Sequence, residues 1–249
     1  MKRIKNLVAL LIIGIIMIGA CTSETGPNTL TKQEKKEGFV LLFDGKTTDG
    51  WRGYLRSDFP SNWVVEDGTL HCKGSGMGEA GAEEGGDILY GKKFSNFHLK
   101  LEWKISRGGN SGIFYLGEED SRFDKMYYTA PEMQVLDNEN HPDAKEGIAG
   151  NRQAGSLYDL IPAVPQNAKP YGEWNQVEII HDNGMVTHKM NGEIVLEYQL
   201  GTQEWNDLVA GSKFPALNPD WADVASEGYF SLQDHGDDVW YRNIKIKEL

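Results

Sequence analysis

The chain has 249 residues, with 25 Lys or Arg against 37 Asp or Glu, and a formal net charge of −12 at pH 7. Its length suits one large domain that can bury an extended core. Such an acidic chain repels nucleic acid, so the composition excludes a nucleic-acid partner and favours a neutral or cationic ligand.

The N-terminal residues are typical of an exported lipoprotein. A basic start with Lys2, Arg3 and Lys5 precedes an uninterrupted apolar run. The run has the length of a signal peptide and is short for a permanent membrane helix. It ends in small residues immediately before Cys21, which resembles the lipobox of bacterial lipoproteins, where the cysteine is acylated. We expect a lipoprotein signal peptide over 1–20, with an ordinary secretory signal as the alternative.

A lipid on Cys21 would anchor the protein at the cell envelope, since each buried CH₂ contributes about 0.8 kcal/mol. The segment 21–37 is polar and aperiodic, so we expect a flexible tether before a domain over 38–249. Glu24 is the only acid close behind the cysteine, and we therefore favour a periplasm-facing protein over a surface-exposed one.

Removal of the signal peptide fixes the charge and the thiol content of the mature chain. It leaves 22 basic and 37 acidic residues, a net charge of −15. With Cys21 acylated, Cys72 is the one remaining thiol. No intramolecular disulfide is then available, and the domain depends on burial for its stability.

Short alternating apolar runs separated by turn residues predict an all-β domain. The clearest alternation covers Phe97–Ile105, with its charged members facing outward. Asp-Asn-Gly at 182–184 and Asn-Gly at 191–192 are turn sequences. The other predicted strands are Phe39–Phe43, Trp63–Val65, Val177–Ile180, Met185–Met190, Ile194–Tyr198, Gly228–Leu232 and Val239–Ile246. Helix is limited to short turns near Tyr158–Ile161 or Gln203–Val209, so a sandwich or jelly roll is expected.

One predicted strand and the loop after it, PEMQVLDNENH at 131–141, carry a polar face. With a period of two, Met133 and Val135 share one face while Glu132 and Gln134 share the other. Asp137, Asn138 and His141 follow where the strand gives way to a loop. These residues indicate either the floor of a polar site or an ordinary solvent-facing strand.

Further polar segments indicate where such a site would be completed. Asn110 lies among small residues at a strand start, where backbone can approach a ligand closely. Tyr158 belongs to a GSLYD segment, and Gln233 and His235 share a face beyond Leu232. The Gly-rich stretch 74–86 carries acids and no Lys-Ser/Thr, so it is interpreted as a loop beside the site and not as a phosphate loop.

The chain resembles the bacterial 3-keto-disaccharide hydrolase family, first catalogued as a domain of unknown function. The matching segments run through almost the whole mature domain in the family's order. They are LLFDGKTTDGW, NWVVEDGTL, GGDILYGKKFSNFHLKLEWKI, GNSGIFY, PEMQVLDN, GSLYDL, GEWNQVEI, NGE and SLQDHGDDVWYRNIKIKEL. The resemblance implies a concanavalin A-like jelly-roll β-sandwich of two antiparallel sheets.

The resemblance also implies cleavage of glycosides whose sugar has been oxidised to a ketone at C3. A C3 carbonyl acidifies the proton on C2, so a base can remove it and the aglycone can leave from C1 by β-elimination, with hydration afterwards. This route needs a base near C2 and donors near the C3 oxygen. Glu132 and His141 are the expected proton-transfer residues. The expected substrate-binding residues are Asn110, Gln134, Asp137, Tyr158, Gln233 and His235.

Cofactor and partner expectations follow from the same resemblance. His141, His235, Glu132 and Asp137 offer nitrogen and oxygen ligands to a divalent metal, although no spacing demands one. No nucleotide cofactor is expected, because the chain has no GxGxxG strand–helix unit. A separate sugar 3-dehydrogenase is then needed to supply the 3-keto-sugar substrate.

Two other functions remain open at the level of sequence. A sandwich of this kind can be a non-catalytic carbohydrate-binding module, in which Trp51, Trp63 and Trp174 would stack on sugar rings. It can also be an ordinary glucanase with two catalytic carboxylates. Against the glucanase, Gln134 stands where a second acid would be needed, and a carboxamide does not ionise.

Overall fold

A computed structural model describes residues 26–78 and 86–249. The predicted signal peptide and the predicted lipidation site, Cys21, lie outside these residues, as does 79–85 of the Gly-rich stretch. The described strands are β1 Val40–Leu41, β2 Trp51–Gly53, β3 Trp63–Glu66, β4 Thr69–Cys72, β5 Ile88–Phe94, β6 Phe97–Ile105, β7 Asn110–Gly117, β8 Glu132–Leu136, β9 Asn175–Asp182, β10 Met185–Met190, β11 Glu193–Gln199, β12 Gly228–Leu232 and β13 Val239–Glu248. The described helices are α1 Lys32–Glu37, α2 Gln203–Ala210 and α3 Phe214–Leu217, with 3₁₀ turns at Met126–Tyr128 and Pro142–Lys145. None of these helices is long and apolar enough to cross a membrane.

The strands form two antiparallel sheets, as predicted. The eight-stranded sheet has the order β11-β10-β9-β6-β13-β4-β3, with β1 also paired to β13. The five-stranded sheet has the order β2-β5-β12-β7-β8. Because the first strand pairs with the last, the beginning and the end of the domain lie side by side.

The core lies between the sheets and follows the alternation of the sequence. Along β6 each odd position is buried and each even position is half-buried, so Leu99 and Trp103 face the core while charged neighbours face outward. Met133 and Val135 on β8 are fully buried in the same core. Burial of each such side chain contributes about 1.5–3 kcal/mol. Cys72 is buried as a free thiol.

The turns of the β9–β10–β11 meander confirm their sequence prediction. Asn183 and Gly184 both have positive φ, at 50° and 85°, and Asn191 and Gly192 have φ of 49° and 88°. Two successive residues of this kind match the twist of an antiparallel hairpin, which explains the Asn-Gly pairs.

The N-terminal segment differs from the expected flexible tether over 21–37. Its described part, from residue 26, packs on the domain. Asn28 and Asn243 exchange side chain–backbone hydrogen bonds, and Asn28 Nδ2 donates to the Gly68 carbonyl at 2.8 Å. Thr31 begins α1 with a capping box, and Glu34 pairs with Lys245 at 2.7 Å. Polar composition alone predicted a tether, because two of these partners, Asn243 and Lys245, lie more than 200 positions further along the chain.

Candidate active site

A cavity of about 250 Å³ opens on the outer face of the five-stranded sheet. Its floor comes from the ends of β7 and β8 and from the residues after β12. The floor residues are Asn110, Glu132, Gln134, Gln233 and His235. The wall residues are Tyr127, Tyr158, Lys213, Phe214 and Leu217. Strand alternation explains the floor, since Met133 and Val135 point into the core from the opposite face of β8.

Gly112, on β7, lies next to the floor residues Glu132 and Gln134. Its Cα pairs with Gln134 across the β7–β8 ladder, and Gln233 donates its N–H to the Gly112 carbonyl at 3.0 Å. A Cβ on Gly112 would stand 2.1 Å from Glu132 Oε1. The glycine is therefore required by the carboxylate of Glu132, which lies over the strand at this point.

Glu132 is a largely buried acid, with 7% of its surface exposed. Burial raises the pKa of the neighbouring phenol of Tyr158, and the negative charges of Glu132 and then of Asp143 raise it further. The phenol of Tyr158 therefore remains protonated beside the acid.

The segment 155–158 forms backbone hydrogen bonds with the edge of β8 that is not paired to β7. Tyr158 donates its backbone N–H to the Glu132 carbonyl at 3.0 Å, and Gln134 donates to the Ser156 carbonyl at 3.0 Å. Tyr158 Oη donates to Asp143 Oδ2 at 3.0 Å, while Arg152 holds the other oxygen of Asp143 at 2.8 Å. This pairing places Tyr158 beside Glu132, although no helix forms here.

Asn110 and His235 form the end of the floor. Asn110 Nδ2 donates to His235 Nε2 at 3.1 Å. Asn110 Oδ1 is buried and accepts no hydrogen bond from the described residues, on a side chain that is 5% exposed. A buried acceptor of this kind is costly unless a ligand or a water donates to it. Asn110 is thus suited to receive a sugar hydroxyl.

His141 lies beside this end of the cavity without lining it. Its ring is nearly perpendicular to that of His235, with 6.1 Å between ring centroids. His141 Nδ1 accepts the backbone N–H of Asp143 at 3.2 Å. Burial, followed by the nearby charge of His235, lowers the pKa of His141. The imidazole is therefore neutral near pH 7, with its proton on Nε2.

The structure does not place Asp137, the remaining predicted binding residue, on the cavity wall. Its Oδ2 accepts from the backbone of Gly108 at 2.7 Å and from Asn140 Nδ2 at 2.7 Å. Its Oδ1 accepts the backbone N–H of Glu139. Asp137 shapes the loop after β8, which is the usual use of an Asp at a strand end.

The four predicted metal ligands do not converge. Glu132 and His235 line the cavity, whereas His141 and Asp137 do not, and the carboxylate of Asp137 accepts hydrogen bonds from Gly108 and Glu139. Over 26–78 and 86–249 no group of three His, Cys, Asp or Glu side chains is arranged to hold a metal ion.

Sequence reasoning missed the wall formed by α3, including Lys213 and Phe214. Phe214 stacks on Trp221 at 4.0 Å between ring centroids, and Trp221 stacks on Trp205 of α2 at 5.8 Å. This aromatic stack fixes α3 over the floor. The segment has no alternation that would reveal which sheet face it covers; the cluster of aromatic residues in 205–221 was the available signal.

The tryptophans considered for sugar stacking are not available as a platform. Trp51 and Trp63 are core residues, at 6% and 2% exposure. Trp174 is covered by the guanidinium of Arg242, whose Cζ lies 3.9 Å from the ring centroid. Burial excludes Trp51 and Trp63 as a sugar platform, and one face of the half-buried Trp174 is already covered by Arg242.

Residues 38–247 match the sequence model of a family described as the 3-keto-alpha-glucoside-1,2-lyase-like domain. A Bacteroides thetaiotaomicron protein named 3-keto-disaccharide hydrolase is 52% identical over 229 residues, which covers 86% of this chain and 79% of the relative.

Solved structures show the same fold. A crystal structure from Parabacteroides distasonis ATCC 8503, described as a candidate glycosyl hydrolase, is similar with a TM-score of 0.80 and 33% identity, covering 90% of this chain and 100% of the other. A Bacillus subtilis protein with a galectin-like fold has a TM-score of 0.52 and 12% identity, covering 80% and 89%. The predicted concanavalin A-like sandwich is confirmed.

Proposed function

Because the chain belongs to the 3-keto-alpha-glucoside-1,2-lyase-like family, we propose that it cleaves 3-keto-glycosides between C1 and the aglycone oxygen. The protein is an enzyme of the glycosidase type. The observation that carries the proposal is the carboxylate of Glu132, which Gly112 admits onto a cavity floor lined by carboxamides. One buried acid beside three carboxamides suits removal of a proton from a neutral sugar.

The proposed reaction begins with transfer of the C2 proton to Glu132. The electron pair of the C2–H bond forms a C2=C3 double bond, and the carbonyl pair moves onto the C3 oxygen. The C3 carbonyl then re-forms, the double bond shifts to C1=C2, and the C1–oxygen bond breaks. The departing oxygen takes up a proton. Addition of water across C1=C2 returns a free 3-keto-sugar, so the net change is hydrolysis without any oxidant.

The proton donor to the leaving oxygen is assigned to the end of the floor where His141 and His235 meet. The neutral imidazole of His141 carries its proton on Nε2, because Nδ1 accepts the backbone N–H of Asp143. Asn110, with its unused acceptor, and Gln134 orient the sugar hydroxyls. Catalytic hydrogen bonds are often long in the absence of substrate and shorten when it binds.

An ordinary two-carboxylate glucanase is the less favoured function. Glu132 is the carboxylate among the ten described residues that line the cavity. Asp143, an acid behind the wall, is held by Arg152 and Tyr158. A retaining or inverting glycosidase instead needs two carboxyl groups across the scissile bond.

The cellular setting belongs to the proposal as well. The basic start, the apolar run and Cys21 support export and lipid anchoring at the cell envelope, facing the periplasm. A separate sugar 3-dehydrogenase must oxidise the substrate first, because an unoxidised glycoside has no acidic C2 proton.

The experiment compares nitrophenyl α-glucoside with its 3-keto derivative, using purified protein and following nitrophenol release. We expect release from the keto-glycoside and little or none from the parent. A substrate deuterated at C2 tests the route, since elimination transfers the label to solvent. Retention of the label with full release would exclude elimination and leave the substrate assignment standing. Equal rates on both glycosides would exclude both, and the glucanase would then be favoured.

A further inference from the structure

Lys213 is a cation at the cavity that neither sequence motifs nor the mechanism above account for. It immediately precedes α3 and lines the cavity. Its Nζ donates to Tyr158 Oη at 3.2 Å and lies 4.4 Å from the centroid of the Tyr158 ring. The aromatic stack under Phe214 fixes the backbone from which the side chain extends.

The partner of Lys213 is neutral. Tyr158 keeps its proton, because burial and the charges of Glu132 and Asp143 raise its pKa. That proton is donated to Asp143, whose own charge is matched by Arg152. Tyr158 therefore has no O–H left to give to a ligand, whereas an ammonium has three donors and Lys213 uses one of them on Tyr158.

The reaction develops negative charge at one position in particular. When the C2 proton leaves, the carbonyl electron pair moves to the C3 oxygen and forms an enediolate. Fixed donors aimed at developing charge are among the largest catalytic effects, and a charged donor is stronger than a neutral one.

We propose that Lys213 binds the C3 carbonyl oxygen and stabilises the enediolate. This inference rests on the proposed function. Lys213 donates a hydrogen bond and keeps its proton, while Glu132 holds the C2 proton until the aglycone has left. The residue thereby selects oxidised sugars: a C3 hydroxyl develops no charge, so Lys213 contributes little to the binding of an unoxidised glycoside.

The test uses the full domain and three variants. Lys213→Met keeps the length of the side chain and removes the charge; Lys213→Arg keeps the charge. Lys46→Met removes an exposed lysine that does not line the cavity and serves as the matched control. For nitrophenyl 3-keto-α-glucoside we measure kcat, KM and the wash-out of C2 deuterium. The unoxidised glucoside is measured as a competitive inhibitor.

Lys213→Met should lower kcat and C2 wash-out by about 10²–10³-fold, the usual effect of removing one oxyanion donor. The inhibition constant of the unoxidised glucoside should change by less than about threefold, because Lys213 contributes to the transition state and not to binding of the sugar itself. Lys213→Arg should recover part of the loss, and Lys46→Met should behave as wild type.

Three results would overturn the inference while the proposed function stands. One is an active wild type with an equally active Lys213→Met. Another is a rise in the inhibition constant equal to the loss in kcat/KM, which would mean simple sugar binding. The third is a borohydride-trapped substrate adduct on Lys213, which would mean a covalent imine at C3. An inactive wild type would instead overturn both proposals.

Discussion

The carboxylate of Glu132 occupies the space that a side chain on Gly112 would need, with only 2.1 Å between Oε1 and the position of a Cβ on Gly112. The two residues lie on neighbouring strands of the five-stranded sheet, two positions apart in register, since Gly112 pairs with Gln134. The absence of a side chain at Gly112 is thus what allows the carboxylate of Glu132, twenty positions later in the chain, to occupy its place.

Gly112→Ala should lower turnover by about 10²-fold, as expected for a displacement of a reacting group by about 1 Å. The atoms that the new methyl group meets belong to the flexible end of Glu132. The carboxylate should move and the sheet should not, so Tm should change by only a few degrees. Gly91→Ala is the matched strand control, since its Cβ meets only the Gly50 carbonyl at 3.4 Å. A fully active Gly112→Ala would show that the position of Glu132 is not critical.

Glu132→Gln should lower kcat on a 3-keto-glycoside by about 10²–10⁴-fold, the usual contribution of a general base. The carboxamide has the same shape and cannot accept the C2 proton, so substrate binding should persist. Kinetics and C2 deuterium wash-out are measured together. Glu139→Gln, an exposed acid in the loop after β8, is the control. Normal wash-out in Glu132→Gln would assign the base elsewhere.

His141 has two separable roles, and two variants distinguish them. His141→Ala removes both the acceptor for the Asp143 N–H and the ring beside His235. His141→Asn can still accept that hydrogen bond but cannot transfer a proton. We expect both variants to lower turnover about 10²-fold, because neither offers an imidazole N–H to the leaving oxygen. Rescue by His141→Asn would reduce the residue to a cap of the 3₁₀ turn.

The free energy of unfolding should decrease as the pH is lowered, because of His188. This residue is fully buried, with Nδ1 donating to the Gly155 carbonyl at 3.1 Å and Nε2 accepting from Tyr115 Oη at 2.7 Å. Burial lowers its pKa to about 4. The unfolded chain, with a His pKa near 6.5, binds the proton first. The contribution of neutral His188 to the free energy of unfolding is therefore fully present above pH 6.5. It is lost as the pH falls from 6.5 to 4, and the total loss is about 3 kcal/mol for a pKa shift of this size.

Urea unfolding at pH 8, 6, 5 and 4.5 measures this dependence. His188→Gln should be less stable at pH 8 and show a shallower slope towards acid. Tyr198→Phe removes the donor to Tyr115 Oη from the same buried network without removing a group that titrates in this range. It should lower stability by a similar amount at every pH. Equal slopes for wild type and His188→Gln would assign the acid sensitivity to other groups.

Cys21→Ser should abolish anchoring, because no thiol remains to be acylated behind the apolar run. Membrane anchoring is measured by detergent phase partitioning and by cell fractionation. The variant should move from the detergent phase to a soluble or uncleaved form, while the neighbouring conservative change Thr22→Ser should not move it. Unchanged partitioning of Cys21→Ser would contradict the lipoprotein prediction.

Local sequence determined which residues form strands and which way their side chains face. The strands β6, β10 and β12 begin and end where their patterns predicted. The faces of β8 followed from its period of two, with Met133 in the core and Glu132 on the cavity floor. These features are predictable because alternation and turn chemistry are properties of adjacent residues.

Tertiary structure alone decided which of these residues meet. Sheet order brings Asn110, Glu132 and Gln233 into one floor, and the stack under α3 adds Lys213. Tertiary structure also decided that Asp137 does not line the cavity, and it fastened Asn28 to Asn243 near the other end of the chain. The physical reason is that a pleat specifies a face, whereas the neighbour across that face depends on register and on packing between segments distant in sequence.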